Sequence, residues 1–180
     1  MKKRTIDLKE YAGHIFNAIP KGVMITVKNE KKVNSMVISW GTIGFEWGTP
    51  LFTTFVRTGR FTHDILADTK EFTVNIPLEG TIPADIFRIC GSQSGRDIDK
   101  VKKAGLTLVE PEVVSVPGIK EVPLTLECRV VYHQLQDKNA IAEKFMDNYP
   151  QDVDSTAPFG NKDFHEAFYG EIVAAYIIEE

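Results

Sequence analysis

Charged and hydroxyl side chains are concentrated in residues 57–62, Arg-Thr-Gly-Arg-Phe-Thr. Two guanidinium groups and two hydroxyls would meet the start of a helix there, where unpaired backbone N–H groups carry partial positive charge. Together these groups neutralise and hydrogen-bond a terminal phosphate. The residues predicted to form this anion site are Arg57, Thr58, Arg60, Phe61 and Thr62. The alternative is a solvated loop whose arginines pair with Asp64 or Asp68.

A strand-like run of small polar and larger apolar residues precedes this segment, at residues 34–40. Small hydroxyls on a strand leave the backbone exposed, and an indole such as that of Trp40 can cover the face of a ring. This combination suits a flat heteroaromatic with donors and acceptors on its rim, such as the pyrimidine edge of a flavin. The residues predicted to contact the ring are Asn34, Ser35, Met36, Val37, Ser39 and Trp40. The alternative is that Met36 and Trp40 are ordinary core residues.

Other potentially reactive groups form weaker patterns. The four histidines show no HExxH or paired ligand spacing, so no metal site is predicted. Cys90 is either a redox thiol, if Arg88 or Arg96 lowers its pKa, or a buried and inert side chain. The glycines do not form GxGxxG between a strand and a helix, so NAD(P)H would have to dock transiently over a bound flavin.

Strands and short helices are predicted to position these residues. Strands are predicted at residues 22–28, 33–40, 51–56, 72–76, 106–109 and 124–134, the first two forming a hairpin. Helical segments are predicted at residues 61–70, 83–89 and 97–104, the last ended by Gly105. The remaining segments are a Gly- and aromatic-rich loop at residues 41–49, a polar loop at residues 92–97 and a partly helical insert at residues 138–163.

The last predicted strand, residues 168–178, is apolar on both faces from Ile172 to Ile178. Such a strand is buried on both sides, either within a closed barrel or beneath a subunit interface. Many strands, hairpin connections and few helices favour a mainly β fold with short helices, an antiparallel barrel, over a βαβ sheet. Residues 1–180 are expected to form one domain.

Composition excludes several classes of partner. The 180 residues include 21 basic and 25 acidic side chains, too even a balance to attract nucleic acid or an anionic membrane nonspecifically. Neither a signal peptide nor a membrane-spanning run is predicted, and two cysteines fit a reducing compartment. A cytoplasmic protein with a small molecule or another protein as its partner is expected.

Four groups of residues in order along the chain carry a family resemblance. They are Asn34-Ser35-Met36 with Ser39-Trp40, residues 57–62 with 71–77, Cys90-Gly91 with residues 94–97, and residues 169–173. In their order and spacing they resemble the flavin reductase-like FMN-binding split barrels, and among these the flavoredoxin-type proteins.

This resemblance implies a split β-barrel that binds FMN at the interface of a homodimer. The phosphate would be held by Arg57, Thr58, Arg60 and the amides near Phe61 and Thr62, with the ring along residues 34–40. Residues 90–97, including Cys90 and Gly91, and the C-terminal strand would reach the flavin from either subunit. His133 and Phe168 lie where similar proteins place groups near the flavin.

The implied activity is that of an FMN-dependent oxidoreductase. Electrons would pass from NAD(P)H or a protein donor to free flavin or another acceptor, with no side chain required as acid or base. One alternative is a non-catalytic electron carrier that exchanges electrons with redox proteins, and another is a flavin-binding barrel without turnover. The insert at residues 138–163 matches the family pattern least, so the outer wall of the pocket is not predicted.

Overall fold

Alternating apolar side chains generate a fold made mostly of strands. The computed structural model describes residues 1–157 and 159–179. The strands are β1 (Lys2–Thr5), β2 (Val23–Lys28), β3 (Val33–Ile38), β4 (Gly41–Glu46), β5 (Thr49–Arg57), β6 (Glu71–Ile76), β7 (Leu108–Val109), β8 (Gly118–Ile119), β9 (Leu124–Leu135) and β10 (His165–Glu179). The helices are α1 (Leu8–Ala18), α2 (Phe61–Thr69), α3 (Ala84–Ser92) and α4 (Lys100–Ala104), with 3-10 turns at Ile19–Lys21, Lys138–Ala140 and Glu143–Asn148.

Strand β10 organises the main sheet. Among the described residues, eight strands form one sheet in the order β3-β2-β6-β9-β10-β5-β4, with β1 also paired to β10. The first half of β10 pairs with β5 and its last residues pair with β1, while β9 runs along nearly its whole length. Two register shifts in the β9–β10 pairing locally increase twist, which bends the sheet around a common core. These pairings are antiparallel, as predicted.

The core lies between the strands and the helices α1 and α2. Phe52, Phe72 and Phe168 are fully buried there, together with Ile15 of α1 and Leu66 of α2. A smaller apolar cluster packs α3 beneath the opposite side of β2, around Met24. Helices α1, α2 and α3 are therefore fixed against the sheet by apolar burial, the dominant stabilising term in folding.

The prediction of a loop at residues 41–49 is wrong, because residues 41–46 form strand β4 paired with β5. The two strands join through Trp47 and Gly48, which have φ values of 52° and 79°. A two-residue hairpin turn with positive φ at both positions matches the twist of the strands. Trp47 is an unusual residue for such a turn, and the turn was therefore not recognised from the sequence.

The other elements follow the predictions closely, apart from β1, α1 and β8, which were not predicted. Gly105 ends α4 in the left-handed region at φ 65°, as expected. In β10, the consecutive residues Tyr176, Ile177 and Ile178 are buried, so this end of the strand is covered on both faces, whereas residues 173–175 are half-buried. Across residues 1–157 and 159–179, no helix has both the length and the apolar character needed to cross a membrane.

Candidate functional site

A cavity of about 300 Å³, here called the central cavity, opens where β3, the start of α2 and the end of α3 converge. It is lined by residues 34, 36–40, 55, 57, 59–62, 90–96, 100, 156, 157, 159 and 165. Segments that are far apart in the sequence thus meet around one space. The predicted anion segment and the predicted ring-binding strand lie on the same cavity.

Eleven of the fifteen predicted site residues line this cavity. They are Asn34, Met36, Val37, Ser39, Trp40, Arg57, Arg60, Phe61, Thr62, Cys90 and Gly91. The structure does not bring the other four to it. Ser35 is buried on the opposite face of β3, with its hydroxyl 2.8 Å from that of Thr26. Strand alternation separates Ser35 from Asn34 and Met36, whereas Val37 shares the face of Ser35 but borders the cavity beside Gly91 of α3.

The remaining three predicted residues are used elsewhere in the fold. Phe168 is fully buried in the main core. The ring of His133 stacks on that of Phe168 at 5.6 Å, and its Nδ1 lies 2.5 Å from a carboxylate oxygen of Glu166. The backbone N–H of Thr58 donates to the carbonyl of Phe164 at 3.3 Å. Their contacts explain their positions without reference to the central cavity.

Asn34 links β3 to the start of α2. Its amide nitrogen donates to the Thr62 hydroxyl at 2.9 Å. Its side-chain oxygen is buried and has no partner among the described residues. Gly95 permits this arrangement, since a Cβ there would lie 2.0 Å from that oxygen. A buried acceptor beside a cavity is an acceptor that a ligand N–H would satisfy.

Lys100 is a site residue that sequence reasoning missed. Its side chain is nearly buried, and its Nζ donates to the Cys90 carbonyl at 3.0 Å. Burial, together with the charges of Arg60 and Lys32 and opposed by Cys90, lowers the pKa of Lys100 to about 8. Lys100 has no ion pair with any carboxylate of the described chain. No local pattern around residue 100 distinguishes it from the exposed lysines of the same helix.

The charge of the cavity wall has one sign. Arg57, Arg60, Arg96 and Lys100 contribute to the lining, and no Asp or Glu occurs among the described lining residues. Burial lowers the pKa of Arg60, and the charges of Arg57 and Arg96 add to this effect although Asp163 opposes it. Cations brought together out of water repel one another, so an anion in this cavity would relieve their repulsion.

Cys90 also borders the cavity, but its environment opposes thiolate formation. Burial raises the pKa of the Cys90 thiol, and the nearby charge of Lys100 only partly offsets it. Both Cys90 and Cys128 are buried free thiols. Because the thiolate is the reactive form, the structure favours the inert alternative for Cys90.

Residues 148–157 and 159–163, here called the strap, pack against the predicted anion segment. Arg57 donates to the backbone carbonyls of Asn148 at 2.7 Å and Asp163 at 2.6 Å. Arg60 donates to the carbonyl of Gly160 at 2.8 Å. The Gly59 amide donates to the Asp163 carboxylate at 2.7 Å. Oxygen atoms of the chain itself therefore occupy much of the donor capacity that the sequence assigned to a phosphate.

The predicted alternative, in which Arg57 or Arg60 pairs with Asp64 or Asp68, is not what the structure shows. Asp64 instead pairs with Arg96 at 2.7 Å. Arg57 and Arg60 donate to backbone carbonyls of the strap, not to the carboxylates of Asp64 or Asp68.

A second cavity of about 660 Å³, here called the apolar cavity, adjoins the central cavity. Ser39, Trp40 and Phe55 line both. Across this shared wall, the Nδ1 of His165 in the central cavity lies 2.8 Å from the hydroxyl of Tyr149 in the apolar cavity. Burial, together with the charges of Arg57 and Arg60 and opposed by Asp163, lowers the pKa of His165 to about 4. The imidazole is therefore neutral at neutral pH.

Comparison with known proteins identifies what this arrangement is similar to. The sequence model described as "Flavin reductase like domain" matches residues 16–180. An uncharacterised protein of Archaeoglobus fulgidus is 30% identical over 131 residues, which cover 73% of this chain and 69% of that protein.

Solved structures give the same result. Flavoredoxin from Methanosarcina acetivorans superposes with a TM-score of 0.63 at 25% identity, covering 88% of this chain and 68% of that one. An FMN-binding domain of a flavin reductases-like enzyme from Shewanella baltica superposes with a TM-score of 0.66 at 17% identity, covering 98% and 77%. These similarities confirm the split-barrel fold predicted from the sequence.

Proposed function

Since the chain belongs to the flavin reductase-like domain family, we propose that it binds FMN in the central cavity and acts as an oxidoreductase. Electrons would pass from NAD(P)H or a protein donor to free flavin or another acceptor. The observation that carries this proposal is Lys100, a nearly buried ammonium without an ion-pair partner in the described chain, on a cavity wall with no carboxylate among its described lining residues. A buried charge of this kind is costly unless a counter-ion pairs with it.

The residues that line the central cavity fit FMN. Arg60 and the first amides of α2, those of Phe61 and Thr62, would hold the phosphate at the helix start. The unpartnered oxygen of Asn34 would accept an N–H from the ring edge. Lys100 would place positive charge along the same cavity. The strap would close over the anion segment through its contacts with Arg57.

Bound FMN would supply the reversible uptake and release of electrons that the fold itself lacks. The protein would orient the ring, exclude water with Trp40 and Phe55, and bias the ring electrostatically through its cations. The neutral His165 adds no charge beside the ring at neutral pH. No acid or base is assigned among the side chains.

Chromatography of the cofactor released by heat from purified protein tests the central claim. FMN rather than FAD is expected, because Arg60 and the first amides of α2 would hold a terminal phosphate. Recovery of no flavin, together with no binding when apoprotein is titrated with FMN, would refute the proposal.

A second candidate, a non-catalytic electron carrier, is favoured by the exposure of aromatic residues at the cavity rim. Trp40 is 42% and Phe159 is 73% exposed, which would give a protein partner access to the cofactor. Stopped-flow mixing with NADH and NADPH separates the two candidates. Rapid bleaching of the flavin band supports the enzyme, whereas slow or no bleaching by either nucleotide supports the carrier.

We also propose that the protein is a homodimer. Phe45 and Trp47 on the β4–β5 hairpin are 73% and 63% exposed, and Trp47 contacts the exposed Tyr132 edge-on at 6.2 Å. An exposed aromatic patch on a small protein commonly marks an interface, and a two-fold axis would bury it against its own copy.

A further inference from the structure

The apolar cavity differs from the central cavity in the charge of its lining and in volume. Five aromatic side chains contribute to its lining, namely Phe16, Trp40, Phe55, Phe145 and Tyr149. Its volume of about 660 Å³ is roughly twice the 300 Å³ of the central cavity. None of its described lining residues is charged, whereas the central cavity has four cations. The two neighbouring spaces therefore suit ligands of opposite character.

We infer that the apolar cavity binds the electron acceptor, and that this acceptor is an uncharged, planar aromatic ketone, aldehyde or quinone of one or two rings. This inference rests on the proposed function, because it needs a redox cofactor in the central cavity. Trp40 and Phe55 form the common wall, so a molecule in the apolar cavity lies next to the cofactor site. Aromatic walls favour a flat conjugated ligand through stacking and edge-to-face contact.

Polar groups in the cavity suit a carbonyl oxygen. Tyr149 is nearly buried, and its hydroxyl lies 3.3 Å from the side-chain oxygen of Gln136 and 2.8 Å from His165. The single O–H of Tyr149 is engaged by these two contacts, so the side-chain amides of the wall are the donors left for a ligand carbonyl. Asn17, Gln136 and Asn148 add side-chain amides to the wall. Neutral donors in an apolar space orient a neutral ligand without the desolvation cost of a charge.

The same lining disfavours two charged redox ligands, one an acceptor and one a donor. A free flavin nucleotide and a nicotinamide nucleotide both carry phosphate charges, which no cation among the described lining residues of this cavity would compensate. A bound quinone has no such charge. Conversion of a quinone to a hydroquinone, or of a ketone or aldehyde to an alcohol, would take up two electrons and two protons. The electrons would come from the reduced cofactor, supplied originally by NAD(P)H or the protein donor, and the protons from the reduced cofactor or solvent.

Calorimetric titration with 2-acetonaphthone and with 6-acetyl-2-naphthoate tests the inference. The two probes share a two-ring ketone and differ by one carboxylate. Each is added to FMN-loaded and to FMN-free protein, so binding is measured without turnover. We expect the neutral ketone to bind at least about tenfold more tightly than the carboxylate, because the latter must lose its hydration in a charge-free cavity.

Phe145→Glu places a charge on the wall of the apolar cavity at a side chain that is 51% exposed in the free protein. We expect it to weaken binding of the neutral ketone at least about tenfold while leaving the affinity for FMN within about threefold. Val113→Glu is the matched control, since Val113 is 50% exposed and lies in neither lining. It should leave both affinities unchanged.

Three results would overturn the inference while leaving the proposed function intact. The first is FMN binding without any ketone binding, and the second is equal ketone binding by wild type and Phe145→Glu. The third is a dimer that Phe145→Glu converts to a monomer in sedimentation, with no ketone bound by wild type, because a second copy would then fill the cavity. Failure of FMN binding would refute the proposed function instead, and ketone binding by the FMN-free protein would still locate a neutral-ligand site.

Discussion

Replacing Lys100 with methionine should have opposite effects on stability and on flavin binding. The side chain is only 4% exposed, and its known partner is one carbonyl, that of Cys90 at 3.0 Å. Methionine keeps a similar length and removes the charge. If the ammonium is present for an anionic ligand, the protein without ligand should gain stability from its removal, and the complex should lose affinity.

The size of the stability gain follows from the pKa of Lys100. Its decrease from 10.5 to about 8 corresponds to a cost on the order of 3 kcal/mol for keeping the charge buried at pH 7. Loss of the hydrogen bond to Cys90 offsets about 1 to 2 kcal/mol of this. We therefore expect Lys100→Met to raise the free energy of unfolding of the apoprotein by about 1 to 2 kcal/mol at pH 7.

This gain should depend on pH in a defined direction. The native state binds protons at Lys100 less tightly than the unfolded state does, so wild-type stability rises as pH increases from about 8 to 10.5. Methionine does not titrate, and the difference between the two proteins should shrink over that window. Urea unfolding of the apoproteins at several pH values measures it.

Affinity for FMN should change in the opposite sense. A charge-assisted contact contributes about 1.5 to 3 kcal/mol, so Lys100→Met should weaken FMN binding about tenfold to a hundredfold. Lys103→Met is the control, because Lys103 lies on the same helix but is exposed and bonds to Gln93. A Lys100→Met apoprotein that is less stable at every pH, with FMN affinity within twofold of wild type, would show that Lys100 is structural and refute the reasoning.

Three further predictions concern the anion site, a buried histidine and assembly. Arg60→Ala should weaken FMN binding about tenfold to a hundredfold in fluorescence titration, whereas Arg129→Ala, at an exposed pair with Glu71, should not; equal effects would mean that the anion site is misplaced. His165 has a folded pKa of about 4 against 6.5 when unfolded, so the native state resists protonation and the free energy of unfolding should fall by up to about 3 kcal/mol between pH 6.5 and 4. The free energy of unfolding of His165→Gln should fall less steeply with decreasing pH than that of wild type. Equal slopes for the two proteins would contradict the assignment of this pH dependence to His165. Trp47→Ser should shift sedimentation from dimer towards monomer, and a wild-type monomer with full flavin occupancy would refute a shared pocket.

Local signals in the sequence were sufficient for most of the fold. The strands at residues 22–28, 51–56 and 124–134 were predicted to within about two residues, because their alternation or continuous apolar character is set by burial on the sheet. Strand β4 was missed because its residues are mostly exposed and its turn contains Trp47 instead of Asn or Asp. Helix α1 had a recognisable signal in Asp7, whose side chain caps it, followed by apolar residues at helical spacing.

Site residues could be predicted from the sequence where the groups that act together are close in the sequence. Residues 57–62 combine arginines with a helix start, so their capacity to bind an anion is visible in six consecutive residues. The oxygens that they contact in the structure belong to Asn148, Gly160 and Asp163 of the strap, about a hundred positions away, and no local pattern specifies that pairing. His165 and Tyr149 are only sixteen positions apart, but no local pattern specifies their contact, and none specifies the wall that joins the two cavities.

Composition alone therefore cannot distinguish an arginine that holds a cofactor from one that holds the chain. Arg57 donates to two strap carbonyls at 2.6 and 2.7 Å and its guanidinium lies 4.8 Å from the centre of the Tyr149 ring, which are contacts of a structural anchor. Lys100 donates to one carbonyl and has no ion pair in the described chain, although its burial makes its charge costly. A fold that retains such a charge without pairing it internally is stabilised when an external anion supplies the pairing. The sequence pointed to the arginine motif and not to Lys100. For this reason, however, Lys100 is stronger evidence for a cofactor site than that motif.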